Sequence, residues 1–146
     1  MINRTVKQIL GAKGYQLYSV GGEAPVLDAL RQMADRNIGA LVVIDDDELV
    51  GVVTERDCAR KLDLEGRTPA DTRVAEIMER RVTTVSSDAT VEHCLRLMTD
   101  LRVRHLPVVD EEPVGLISIG DVGKSLISDQ GHLIDELTGY ITGSPR

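Results

Sequence analysis

The apolar residues of this chain follow two periodicities, and each predicts one kind of element. Val26, Leu30 and Met33 fall at positions i, i+4 and i+7, which places them on one face of a helix. Two β-rich runs come next, GALVVID at 39–45 and LVGVVT at 49–54, on either side of an acidic turn. Such runs around a short polar turn are typical of a β-hairpin. The pattern therefore predicts a helix followed by a hairpin.

The same order of elements occurs twice. Residues 16–45 match residues 81–110 at a constant offset of 65, with ten identical residues among 30 positions. In each copy a short strand (17–20 or 82–85) precedes the helix, and a second helix (55–62 or 119–127) follows the hairpin. Upstream, VKQIL at 6–10 matches VAEIM at 74–78. The repeat divides the chain into a first unit at 5–62, a linker at 63–72, a second unit at 73–127, and a C-terminal helix and tail at 128–146.

A unit of about 60 residues buries too little surface on folding to be more than marginally stable alone. The two copies are therefore expected to share one core. The predicted fold is α+β, with two β-α-β-β-α units packed as a pseudo-twofold pair, the sheets facing each other and the helices outside.

Each copy contains the septet G-h-h-[T/S]-x-x-D, where h is apolar, as GVVTERD at 51–57 and GLISIGD at 115–121. One interpretation is structural, because a hydroxyl followed three residues later by an acid before a helix spells a capping box. The other is a ligand site. A carboxylate at a helix start can accept from the hydroxyls of a ribose, and the helix N-terminus favours phosphate. The glycine, three residues before the hydroxyl, is expected to let a ligand approach the strand.

Composition excludes several classes of function. The formal net charge is −7, and the chain has no Phe or Trp and only three Tyr, so neither a basic surface nor stacking platforms for nucleic acid are expected. No signal peptide or membrane-spanning apolar run is visible, and a cytoplasmic location is expected. No metal-ligand spacing, nucleophile–base pair or other catalytic constellation is visible. Cys58 and Cys94 occupy small apolar positions of the repeat and are expected to be buried thiols.

The tandem septets, the ALVVID and HLPVVD strands and the repeat period resemble a pair of CBS domains, a family named for cystathionine β-synthase. The resemblance covers about residues 5–127 and is strongest to small stand-alone bacterial proteins that consist of one such pair. It implies ligand binding in the clefts between the units, a homodimer, and control of a separate protein. The implied ligands are AMP, ADP, ATP, NAD(H) or S-adenosylmethionine, bound as regulators, with no cofactor required.

The resemblance also assigns roles to residues. The septets would hold ribose and phosphate through Thr54, Arg56, Asp57, Ser118 and Asp121. Backbone and side chains of Val20, Ile38, Gly39, Ala40, Val85 and Val103 would edge the adenine, although the two valines of the strands would serve equally as core.

The two copies differ in charge around the septets. Between hydroxyl and acid the first has Glu55 and Arg56, of which the glutamate would repel phosphate, whereas the second has Ile119 and Gly120. The second copy instead carries phosphate candidates before its central strand, and the loop after residue 10 adds one more. These candidates are Arg102, Arg104, His105 and Lys13. In a face-to-face pair, the first three are expected to reach a phosphate that is bound mainly by the other unit. Solvent-exposed positions are the alternative for both arginines and for the lysine.

Two classes of function remain open from the sequence. The first is a non-enzymatic sensor of adenosyl ligands. The alternative is a ligand-free dimerisation or scaffold module, in which Thr54, Asp57, Ser118 and Asp121 act only as helix caps.

Overall fold

The computed structural model describes residues 4–14 and 16–129, so the predicted tail helix lies outside the described residues. The elements are α1 (Val6–Lys13), β1 (Ser19–Val20), α2 (Val26–Arg36), β2 (Ala40–Asp45), β3 (Glu48–Thr54), α3 (Glu55–Glu65), α4 (Val74–Ile77), α5 (Val91–Leu101), β4 (His105–Val109), β5 (Pro113–Ser118) and α6 (Ile119–Asp129). A 3₁₀ turn at Pro69–Asp71 lies between α3 and α4. The mixed α+β fold and the predicted helices and hairpins are confirmed.

The first copy forms a three-stranded sheet in the order β1-β2-β3. β1 pairs in parallel with β2, and β2 pairs antiparallel with β3. Asp46 and Asp47 join β2 to β3, and both have positive φ, at 50° and 63°. A two-residue connection with this backbone matches the twist of the two strands. The acidic turn of the sequence is thus a tight hairpin loop.

The second copy has a two-stranded sheet of β4 and β5. The strand predicted at 82–85 reduces to one parallel bridge, in which Val85 N donates to Pro107 O at 3.0 Å and Val85 O accepts from Val109 N at 2.9 Å. Just before it, Val82 and Thr83 form no strand and line a cleft against the first copy. The first copy's β1 is likewise shorter than the predicted run at 17–20.

Each copy's hydrophobic core is completed by a helix from the other copy. Val6, Ile9 and Leu10 of α1 pack into the second core, whereas Val74 and Ile77 of α4 pack into the first. The first core otherwise contains Val26, Ala29, Met33, Leu41, Val43, Val53, Cys58, Leu62 and Met78, and the second Val85, Val91, Cys94, Met98, Leu106, Val108, Ile117 and Val122. The packing therefore crosses the unit boundaries that the repeat suggests, and those boundaries stay a prediction.

Hydrogen bonds fix this exchange of helices. Val6 N donates to Ala89 O at 2.9 Å, which ties the start of α1 to the residues before α5. In the same way Val74 N donates to Ala24 O at 2.8 Å, which ties α4 to the residues before α2. The donor positions of the two contacts are 68 residues apart and the acceptor positions are 65 residues apart, so the contacts repeat the internal symmetry of the chain.

The septet glycines accommodate the exchanged helices. A Cβ at Gly51 would lie 2.8 Å from Glu79 O and 2.8 Å from the Met78 sulfur, just after α4. A Cβ at Gly115 would lie 2.8 Å from a Leu10 methyl carbon of α1. The expectation that these glycines make room for a ligand is therefore wrong, because protein atoms fill the space.

Candidate functional site

Both septets end a β-strand and begin a helix, and their hydroxyls cap that helix. Thr54 Oγ1 accepts from Asp57 N at 3.0 Å, and Ser118 Oγ accepts from Asp121 N at 3.1 Å. Only in the second septet is the capping box reciprocal, with Asp121 Oδ2 accepting from Ser118 N at 2.8 Å. Among the described residues the Asp57 carboxylate accepts no hydrogen bond, and it lies at the start of α3 free to take a ligand.

Each new helix is also bonded to the turn that precedes the central strand of its own copy. Glu55 N donates to Gly39 O at 3.1 Å, and Ile119 N donates to Arg104 O at 2.8 Å. This contact brings the residues predicted as adenine edges beside the septet. Because the two copies face each other, the turn of each copy also borders the septet of the other.

The first cleft lies between the first septet and the second copy, with a volume of about 570 Å³. Such a volume falls within the range of ordinary small-molecule sites. Its lining comprises Gly39, Val52, Thr54, Glu55, Arg56, Asp57, Arg60, Glu79, Arg81, Val82, Thr83, Arg102, Val103, Arg104 and His105. The structure thus brings together the predicted phosphate residues Arg102, Arg104 and His105 with the septet of the opposite copy.

Five arginines make the first cleft basic within an acidic chain. They are Arg56, Arg60, Arg81, Arg102 and Arg104, against the acids Glu55, Asp57 and Glu79. Among the described residues none of these guanidinium groups forms an ion pair with a carboxylate. Guanidinium groups are well suited to bind phosphate through paired hydrogen bonds. The cleft can therefore hold a ligand with several negative charges.

Arg102 has a backbone conformation that arginine rarely adopts. Its φ is 55° and its ψ is 41°, in the left-handed region, where it terminates α5. The matching residue of the first copy is Asn37, at φ 54°, a residue type that tolerates this conformation better. Unfavourable backbone conformations of this kind cluster at functional sites. Arg102 thus places a charged side chain in the cleft at a cost in stability.

The second cleft is related to the first by the internal symmetry and has a volume of about 470 Å³. Its lining comprises Lys13, Gly14, Gln16, Tyr18, Asn37, Ile38, Gly39, Ala40, His105, Leu116, Ser118 and Asp121. Gly39 and His105 line both clefts. Unlike the first cleft, the second has one lysine and one aspartate among its lining residues and no arginine.

The lysine and the aspartate of the second cleft are paired with each other. Lys13 Nζ lies 2.8 Å from Asp121 Oδ2 and donates to Leu116 O at 3.1 Å. Burial raises the pKa of the Asp121 carboxyl, but the bonds from Lys13 and from Ser118 outweigh it, and the pKa is lowered. The charge of Asp121 is therefore stabilised within the chain.

His105 is half-buried at the start of β4. Burial lowers its pKa, as do the positive charges of Lys13 and Arg104, while the Asp121 carboxylate opposes the shift. The neutral imidazole is favoured at neutral pH, and it offers both a donor and an acceptor to the clefts.

Two predicted residues lie outside the clefts, and the sequence missed others. Val85 is buried in the second core and Val20 packs against the first, and neither is among the lining residues of either cleft. The residues that sequence reasoning missed are Arg60, Val82, Thr83, Gln16, Tyr18 and Asn37. Arg60 follows Asp57 by three residues and so lies near the same helix face, which is a pattern that could have identified it.

Function could also depend on metal-ligand groups, membrane-spanning helices or reactive cysteines in the described part of the chain. Across residues 4–14 and 16–129 no group of three His, Cys, Asp or Glu side chains could hold a metal ion, and no helix is long and apolar enough to cross a membrane. Cys58 and Cys94 are buried free thiols, as predicted. Burial raises the pKa of each to about 11, assisted at Cys58 by Asp57 and Glu55.

The sequence and the fold both match known proteins. The family model for the CBS domain matches residues 12–64 and 74–128. A CBS domain-containing protein of Arabidopsis thaliana, CBSX3, mitochondrial, is 40% identical over 124 residues, which cover 81% of this chain. The chain spans 60% of that plant protein's length.

Two solved structures extend the comparison. The CBS domain protein NE2398 superposes with a TM-score of 0.82 at 46% identity, covering 86% of this chain and 99% of that one. The CBS domain pair of protein MJ0100, in complex with 5′-methylthioadenosine and S-adenosyl-L-methionine, has a TM-score of 0.78 at 25% identity. That match covers 88% of this chain and 99% of the MJ0100 chain.

Proposed function

Because the chain belongs to the CBS domain family, we propose that it is a non-enzymatic regulatory module that binds adenosyl ligands in its two clefts. The observation that carries this proposal is the first cleft. It combines the capped septet of one copy, with its unbonded Asp57 carboxylate, and a set of unpaired arginines drawn from both copies.

In the proposed complex, Asp57 accepts hydrogen bonds from the ribose hydroxyls, with Thr54 beside it. The adenine lies against Gly39 and Val103, whose backbone groups edge the cleft. The phosphates lie between the N-terminus of α3 and the arginines, of which Arg56 and Arg104 come from opposite copies.

Charge selects among the adenosyl ligands. ATP and ADP carry more negative charge than AMP and NADH, and oxidised NAD carries the least of these nucleotides because its nicotinamide ring is positive. S-adenosylmethionine, which MJ0100 binds, carries a positive sulfonium that the five arginines would repel. We therefore rank ATP and ADP first for this cleft, then NAD(H) and AMP, and S-adenosylmethionine last.

The first test is thermal unfolding with AMP, ADP, ATP, NAD, NADH and S-adenosylmethionine, on protein freed of bound nucleotide. A ligand at 100 times its dissociation constant should stabilise the fold by about 2.7 kcal/mol. Asp57→Asn should remove most of the ATP effect and keep the fold, because Thr54 caps the backbone N–H of residue 57 and not its side chain. Asp63→Asn, an exposed change on the same helix, is the matched control. Absence of a shift with every ligand would refute the proposal.

The second test addresses the arginines. Arg104→Gln should weaken ATP binding much more than adenosine binding, because it removes a positive charge from the phosphate region. Arg96→Gln, an exposed change of the same kind on α5, should leave both affinities unchanged. Equal losses for ATP and adenosine would show that Arg104 does not contact phosphate.

A ligand-free scaffold is the second candidate function, and the second septet favours it. One carboxylate oxygen of Asp121, Oδ2, is engaged within the chain, by Lys13 and by Ser118 N. Under this alternative, Asp121→Asn lowers stability by about 1 kcal/mol and alters no ligand affinity. Calorimetric titration of the variant separates the two functions, because a sensor loses affinity in the second cleft.

The proposal includes a homodimer that regulates a separate protein. The support for self-association is the exposed apolar surface of α6, where Ile119 and Ile127 are 42% and 64% exposed. Light scattering after size-exclusion chromatography tests it, with and without ATP. A monomer at micromolar concentration in both conditions would overturn this part.

A further inference from the structure

Lys13 contacts the Asp121 carboxylate, the group of the second septet that corresponds to the proposed ribose acceptor Asp57. It is the last residue of α1, and its ammonium lies 2.8 Å from Asp121 Oδ2, 108 residues further along the chain. The same ammonium donates to Leu116 O at 3.1 Å, so two acceptors hold it. The other septet has no such occupant, because the Asp57 carboxylate accepts no hydrogen bond from any described residue.

The contact between Lys13 and Asp121 would affect ligand binding because these two residues supply the charges of the second cleft. Lys13 and Asp121 are its formally charged lining residues, beside a His105 that burial keeps neutral. Both chain contacts of this carboxylate fall on Oδ2, so a ribose whose two hydroxyls take both carboxylate oxygens must displace the ammonium. A displaced ammonium in a half-closed cleft loses a charge-assisted hydrogen bond, which is among the stronger contacts in proteins.

We propose that Lys13 makes the second cleft selective for phosphorylated adenosyl ligands over the free nucleoside. The ammonium occupies Asp121 in the free protein, and only a ligand that carries a phosphate offers it a replacement anion when the ribose arrives. Adenosine binds at the full cost of breaking the ion pair, whereas AMP recovers that cost through its phosphate. This inference rests on the proposed adenosyl binding and assigns to Lys13 the choice of ligand.

The lysine also sets the sign of the potential that a phosphate meets. Without Lys13 the charged lining of the cleft reduces to the Asp121 carboxylate, which repels phosphate. Replacing the lysine with methionine, which has a similar length and no charge, therefore has opposite effects on the two ligands. Adenosine gains affinity because Asp121 is open, and AMP loses affinity because its counter-charge is gone.

The test is isothermal titration with adenosine and AMP in an Asp57→Asn background, in which binding reports the second cleft. Lys13→Met should strengthen adenosine binding about tenfold, the lower range for a half-exposed charge-assisted bond. It should also weaken AMP binding, so that the preference for AMP over adenosine falls by more than tenfold. Lys124→Met removes an exposed lysine of α6 that lines neither cleft, and it should leave the preference unchanged.

The outcomes separate the inference from the function on which it rests. Equal changes in the two affinities, or none, while AMP still binds would overturn the role of Lys13 and leave adenosyl binding intact. No binding of either ligand by the parent chain or any variant would overturn both.

A measurement without ligand tests the ion pair directly. Lys13 should react with an acylating reagent more slowly than Lys124, and Asp121→Asn should remove most of the difference. Equal reactivity of the two lysines in the parent chain would contradict the occupied carboxylate.

Discussion

Replacing the septet glycines by alanine should destabilise the two copies unequally. At Gly51 the added methyl would lie 2.8 Å from Glu79 O, a backbone atom, and 2.8 Å from the Met78 sulfur. The backbone there is held to β3 by two hydrogen bonds between Val52 and Glu79, at 3.0 and 2.8 Å. The clash at Gly51 therefore cannot be relieved by rotating one side chain.

The clash at Gly115 is softer. The methyl would lie 2.8 Å from one terminal carbon of Leu10, which can change rotamer. Inserting a carbon into a packed core costs about 1–3 kcal/mol. We expect about 2–3 kcal/mol for Gly51→Ala, and about 1 kcal/mol for Gly115→Ala. Neither position has a positive φ, so no backbone strain adds to these values.

Urea denaturation of three variants measures the effect. Gly123→Ala is the control, because its Cβ would meet no atom within 4 Å in α6, and alanine should stabilise that helix by about 0.5–1 kcal/mol. Combining Gly115→Ala with Leu10→Val should cost less than the sum of the two single changes. If Gly51→Ala were as stable as the parent chain, packing of α4 would not explain the glycine, and room for a ligand would again be the better reason.

Three further predictions concern the clefts and the thiols. Arg102→Asn should stabilise the protein by up to about 1 kcal/mol in thermal unfolding, because asparagine tolerates the left-handed conformation, and should weaken ATP binding in titration. Cys58 and Cys94, with pKa values raised to about 11, should resist alkylation at pH 8 in the native protein and react fully in urea; fast native labelling would contradict their burial. Because the pKa of His105 is lowered on folding, the unfolded chain takes up a proton first as the pH falls below about 6.5. Stability should fall from there until the folded histidine is protonated, and His105→Ala should flatten that part of the urea-midpoint profile.

Local pattern was sufficient to predict the helices and hairpins, since apolar spacing within one segment determines them. Val26 and Met33 are fully buried on one face of α2, whereas Leu30, at the edge of that face, is only half-buried. The grouping of Arg102 and Arg104 with the opposite septet also followed from the repeat, because a pseudo-twofold pair places the turn of one copy against the helix start of the other.

Contacts between segments far apart in the chain could not be predicted from the sequence. The apolar face of α1 would be the same whether the helix packed on its own copy or on the other. The identities of Val6 and Leu10 therefore do not indicate that α1 packs into the second core. The pairing of Lys13 with Asp121 depends on that exchange, because only then does α1 end beside the second septet. The role of Gly115 was misread for the same reason.

The exchanged helices imply that the two halves of the chain, when produced as separate fragments, can associate and fold together. A break between α3 and α4 would leave a fragment that carries α1 and another that carries α4. Each fragment would then lack a helix of its own core and hold one that belongs to its counterpart. The halves should therefore remain unfolded when separate and regain the fold on mixing, as a pair of complementing fragments whose mutual affinity derives from the two hydrophobic cores themselves.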